Sequence, residues 1–129
     1  MIRSSIVALM LGVAAQTATP ASAELTGDSF LSEARALVER GPGAEVSPEA
    51  DKLRNHMATA GGALRGRLNA DAAAGKKPLA CLPPPGQVAL NLGQIMEGVA
   101  ALTPAQRAGP FNEAFALALA SLYPCPAKP

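Results

Sequence analysis

The chain has 129 residues with 11 Lys plus Arg against 10 Asp plus Glu, a formal net charge of +1 that excludes a strongly basic nucleic-acid binder. Aromatic content is 3% with no Trp, which leaves too few flat side chains for a base-stacking surface or an aromatic cage. At 49% hydrophobic and 16% charged, the sequence is too apolar for a disordered chain and of a length that suits one domain.

The first segment reads as an export signal. Arg3 supplies a positive charge, Ile6 to Ala15 is an apolar run, and Ala21-Ser22-Ala23 offers the small residues that a signal peptidase accepts. Gln16, Thr17, Thr19 and Pro20 interrupt the run well short of the roughly 20 apolar residues that a membrane span requires. Residues 1–23 are therefore expected to be a cleaved signal peptide, with cleavage between Ala23 and Glu24 and a single helical domain over 24–129. Loss of Arg3 with the leader balances the acidic and basic groups, so no electrostatic pull toward nucleic acid or an anionic membrane is expected of the mature chain.

Helical spacing begins at Phe30, with Leu31, Ala34, Leu37 and Val38 on one face. Asp28 is the expected N-cap and Gly41-Pro42 the stop, giving a helix over about Ser29 to Arg40. Ser47-Pro48-Glu49 opens a second helix with a cap, a proline at the first position and an acidic first turn. Its apolar stripe is Leu53, Met57, Ala60, Leu64 and Leu68. Gly61-Gly62 in its middle implies either close helix packing or a bend, because two glycines cost about 1 kcal/mol each relative to Ala.

Pro78 forces an extended approach to Cys81, and Pro83-Pro84-Pro85-Gly86 is a stiff spacer. Such a run can be a recognition motif for aromatic grooves; beside a bridged cysteine, a shaped loop is the expectation. Asn91 and Gln94 form a capping box for a third helix starting at Leu92, with Leu90 and Ile95 at the staple positions. Thr103-Pro104-Ala105-Gln106 re-initiates a short turn and Gly109-Pro110 breaks the chain again. A last helix carries Phe111, Phe115, Ala118, Leu119 and Leu122 and ends at Tyr123-Pro124-Cys125. No segment alternates as a strand does, so the fold class is all-α, a small disulfide-linked bundle of about four main helices. The placement of Phe30 in the first helix and the other two phenylalanines in the last predicts that these helices meet in the core.

Cys81 and Cys125 are the two cysteines. In an exported chain an even count reads as one disulfide, with free thiols as the alternative, and closing a loop of about 45 residues is worth roughly 4 kcal/mol in the chain-entropy model. A metal or haem site is not supported: there is no Cys-x-x-Cys, and His56 is the single histidine. For the same reason no catalytic constellation can be assembled by spacing, and His56 is expected to be a surface or boundary residue of the second helix.

Four stretches carry a family resemblance: Leu25-Thr26-Gly27-Asp28-Ser29-Phe30-Leu31, Ala80-Cys81-Leu82-Pro83, Leu92-Gly93-Gln94-Ile95, and Ala114 to Ser121 leading into Leu122-Tyr123-Pro124-Cys125-Pro126. Together they resemble the Rap/Tai immunity family of type VI secretion, most strongly from Cys81 to Cys125. The family usually has a further cysteine pair, near the positions held here by Ala34 and Asn55. The resemblance implies a periplasmic helical protein that binds a peptidoglycan amidase effector and blocks it sterically, with a homodimer as a reasonable assembly. It implies no catalytic residue, metal or cofactor. Arg65 and Arg67 are the candidate partner contacts, since arginine is enriched in binding hot spots; a solvated helix face is the alternative. A generic exported helical module, such as an envelope chaperone or accessory subunit, is the competing function.

Overall fold

The computed structural model describes residues 25–88 and 90–126. The expected leader and the Ala23–Glu24 junction lie outside the described residues. Five helices follow in order: α1 (Gly27–Glu39), α2 (Pro48–Ala73), α3 (Leu92–Ala100), α4 (Pro104–Ala108) and α5 (Phe111–Leu122), with a 3-10 turn at Ala44–Val46 between the first two. Among the described residues there is no strand, and α4 is a single short turn, so the frame is the expected all-α bundle of four main helices.

Three of the expected helix starts are present with their caps. The Ser47 hydroxyl accepts from the Ala50 N–H ahead of Pro48. Asn91 and Gln94 make a reciprocal capping box, and Thr103 and Gln106 make a second one. The start of α1 differs from expectation. Thr26, not Asp28, is its N-cap, its hydroxyl accepting from the Ser29 N–H at 3.0 Å. The helix begins two residues early because the backbone before it is anchored elsewhere. The Gly27 N–H donates to the Gly109 carbonyl at 3.2 Å, and the Phe111 N–H donates to the Leu25 carbonyl at 2.7 Å. At the other end, Arg40 is the C-cap and Gly41 follows with φ of 77°, the left-handed geometry that the Gly-Pro stop predicts.

The core is built on α5, which buries Phe111, Ala114, Phe115, Ala116, Ala118 and Leu119. Helices α2 and α3 both pack on it, and α1 touches all four other helices. The meeting of the phenylalanines is direct: Phe30 stacks on Phe111 with ring centroids 4.3 Å apart, and Phe115 meets Phe111 edge-on at 5.7 Å. Small residues bring α3 and α5 together. A Cβ at Gly98 would lie 3.1 Å from that of Ala118, closer than two methyl-sized groups normally sit.

Helix α2 runs unbroken through Gly61-Gly62, and a Cβ at either glycine would meet nothing within 4 Å. Close packing is therefore not what the pair serves. The described residues between α2 and α3 have no regular secondary structure; buried Ala80 and part-buried Leu79 and Leu82 hold this stretch to the bundle. Cys81 is bridged to Cys125, and the Cys81 N–H donates to the Tyr123 carbonyl at 3.0 Å. No helix among the described residues is long and apolar enough to cross a membrane.

Candidate functional site

The two arginines singled out in α2 both make contacts within the molecule. Arg65 donates to the Pro83 carbonyl at 3.2 Å and braces the proline loop, while Arg67 pairs with Glu113 at 3.2 Å and ties α2 to α5. Arg67 stays about half exposed, so this pair contributes little to stability in water. His56 is half-buried on α2, beside Leu25, Thr59, Phe111 and Asn112, and its Nε2 is buried with no hydrogen-bond partner among the described residues. A general base is normally oriented by a partner on its ring, an arrangement not made at this nitrogen.

A different surface gathers polar groups from two segments. The outer face of α1 presents Asp28, Ser32, Arg35 and Glu39 at helical spacing above buried Leu31, and the corner between α3 and α4 faces them with Ala100 and Arg107. Between them lies an open groove of about 580 Å³. Arg107 is its fixed element. Its Nε lies 3.3 Å from Asp28 Oδ1, and its Nη1 donates to the Ala100 carbonyl at 3.2 Å and to the Leu102 carbonyl. The Ala100 carbonyl stands at the C-terminal end of α3, where the last acceptors of a helix lack intrahelical donors and carry its partial negative charge, and Leu102 follows just past the Ala101 cap. Donating to both carbonyls holds the Arg107 guanidinium in one place, with the side chain only 25% exposed. Arg35 is exposed and forms no ion pair within 4.0 Å among the described residues.

The neighbouring cleft between α1 and α2 is closed off by its own charges. Arg40 pairs with Glu49 at 3.1 Å and Lys52 with Glu33 at 3.2 Å across its apolar floor of Ala36, Leu37 and Leu53. A hydrogen bond from its own backbone N–H, and then the Arg40 guanidinium, hold the Glu49 carboxyl below the usual carboxylate range. Among the described residues no group of three or more His, Cys, Asp and Glu is placed to hold a metal ion.

The groove eluded the sequence because its members come from two distant segments. The helical spacing of Asp28, Ser32, Arg35 and Glu39 was the one available sign, and it equally describes a solvated face. In comparisons with family models, curated proteins and solved structures, the chain matches none of them.

Proposed function

We propose that the protein is an exported, periplasmic binding protein that acts by covering the surface of a protein partner, and that this partner is a secreted peptidoglycan amidase held inactive by steric occlusion. The partner class rests on the motifs shared with Rap/Tai immunity proteins. The observation that carries the binding reading is the α1 groove, where Arg107 is pre-positioned by the end of α3 and Arg35 lies beside it with no ion pair among the described residues.

Pre-positioning matters energetically, because a side chain already held in place loses less freedom when a partner docks on it. Arg35 supplies donors to the partner's carbonyls or carboxylates, while exposed Ala36 offers apolar contact beside the polar groups. Such a role asks for no catalytic group, metal or cofactor from this chain, and for neither nucleic acid nor lipid. The Cys81–Cys125 bridge fits export into an oxidising compartment.

The test is binding and inhibition of a purified peptidoglycan amidase from the same cells' secreted fraction. Wild-type protein should inhibit it stoichiometrically, and Arg35→Glu should weaken binding at least tenfold, about 1.4 kcal/mol, without changing the protein's circular dichroism. Unimpaired binding by Arg35→Glu would remove the groove from the interface. Failure of the wild type to inhibit any such amidase would remove the immunity role.

A further inference from the structure

We infer that the Cys81–Cys125 bridge is an open site for thiol–disulfide exchange, selective for small anionic thiols, and that it exchanges in the folded protein. The inference is independent of the partner proposed above.

Three observations converge on it. The bridge lies outside the hydrophobic core, at a cavity of about 770 Å³ lined by Gly75, Lys76, Lys77, Pro78 and both half-cystines. Cys81 is exposed, whereas Cys125 is half-buried with its Sγ 3.9 Å from the Pro78 carbonyl oxygen, so Cys81 is the more accessible half of the bridge. The charges lining the cavity among the described residues are Lys76 and Lys77, both exposed and both positive.

The exchange follows from that arrangement. A thiolate attacks Cys81 Sγ and forms a mixed disulfide; the Cys81–Cys125 bond breaks and its electron pair leaves on Cys125 Sγ, which takes a proton from water. A second thiolate attacks the outer sulfur of the mixed disulfide and releases Cys81 as a thiol. Two molecules of the small thiol are oxidised to their disulfide while the bridge is reduced to two thiols. The two ammonium groups concentrate an anionic attacker at the mouth of the cavity and stabilise the departing thiolate.

Opening the bridge loosens one region in particular. The segment from Lys76 to Val88 would keep the Cys81–Tyr123 backbone bond, the Arg65–Pro83 bond and the burial of Ala80, while the Phe30–Phe111 core remains packed.

Glutathione and cysteamine, an anionic and a cationic thiol, are compared at equal thiolate concentration on the native protein, with free thiols counted by alkylation and mass spectrometry. Glutathione should reduce the bridge about threefold to tenfold faster than cysteamine, a difference lost in about 0.5 M salt. The exposed double variant Lys76→Gln, Lys77→Gln should lose it too. The rate should also stay flat in urea below the unfolding transition. Equal rates for the two thiols in the wild type, or a rate that climbs with urea in step with global unfolding, would overturn the inference.

Discussion

The ring of Phe30 lies face to face with that of Phe111, 4.3 Å between centroids and 20° from parallel, at the point where the first and last helices of the bundle meet. Phe30 is fully buried. Phe30→Ala should therefore cost about 3 to 5 kcal/mol, combining lost burial with the cavity left behind, while Phe30→Leu should cost distinctly less. Urea unfolding of the oxidised protein checks this as a fall in midpoint at unchanged slope.

Two glycine substitutions in different helices should act in opposite directions. At Gly62 a methyl group meets open space in the middle of α2, so Gly62→Ala should stabilise the protein by about 0.5 to 1 kcal/mol through helix propensity. At Gly98 the added methyl would press on Ala118, and Gly98→Ala should destabilise by about 1 to 3 kcal/mol. Thermal unfolding of the two variants beside the wild type measures both signs.

Much of the frame was legible in the sequence for local reasons. Ser47-Pro48, Asn91 with Gln94, and Thr103 with Gln106 are contacts within one turn, so the residues that make each cap stand side by side in the chain. The Phe30–Phe111 contact could be inferred because so few large rings exist to fill a core. The pairing of Leu25 and Gly27 with Phe111 and Gly109 could not, since it is made by backbone atoms and leaves no residue pattern. It moved the cap of α1 from Asp28 to Thr26 and freed the Asp28 carboxylate to meet Arg107. Arg107 eluded the sequence as well, because two of its acceptors are main-chain carbonyls at and just past the end of another helix.

Acid should weaken the start of α2. The folded-state pKa of Glu49 is depressed, so the stability it contributes is present above its unfolded value and is lost as pH falls through the folded one. The side chain sits in the first turn of the helix, where a negative charge is favourable. Glu49→Gln should flatten the acid side of the stability profile below the ordinary carboxylate range while leaving neutral-pH folding intact. An NMR titration of the Glu49 carboxyl carbon should give a midpoint below that of a model glutamate.

Removing the bridge should destabilise without abolishing the helices. Cys81→Ser with Cys125→Ser opens a loop whose ends are 44 residues apart, and the chain-entropy model gives a loss of about 4 kcal/mol. Circular dichroism at low temperature should retain the helical signal, and the urea midpoint should drop accordingly.

We propose that this protein works by covering a partner through the face of α1. The most direct test is recovery of oxidised mature protein, immobilised, from the envelope and secreted fractions of its own cells, followed by assay of what elutes in stoichiometric amount. A peptidoglycan amidase should elute with the wild type, be inhibited by it and fail to elute with Arg35→Glu. An eluate without such an amidase, or an amidase that remains fully active when saturated with the protein, would contradict the proposal.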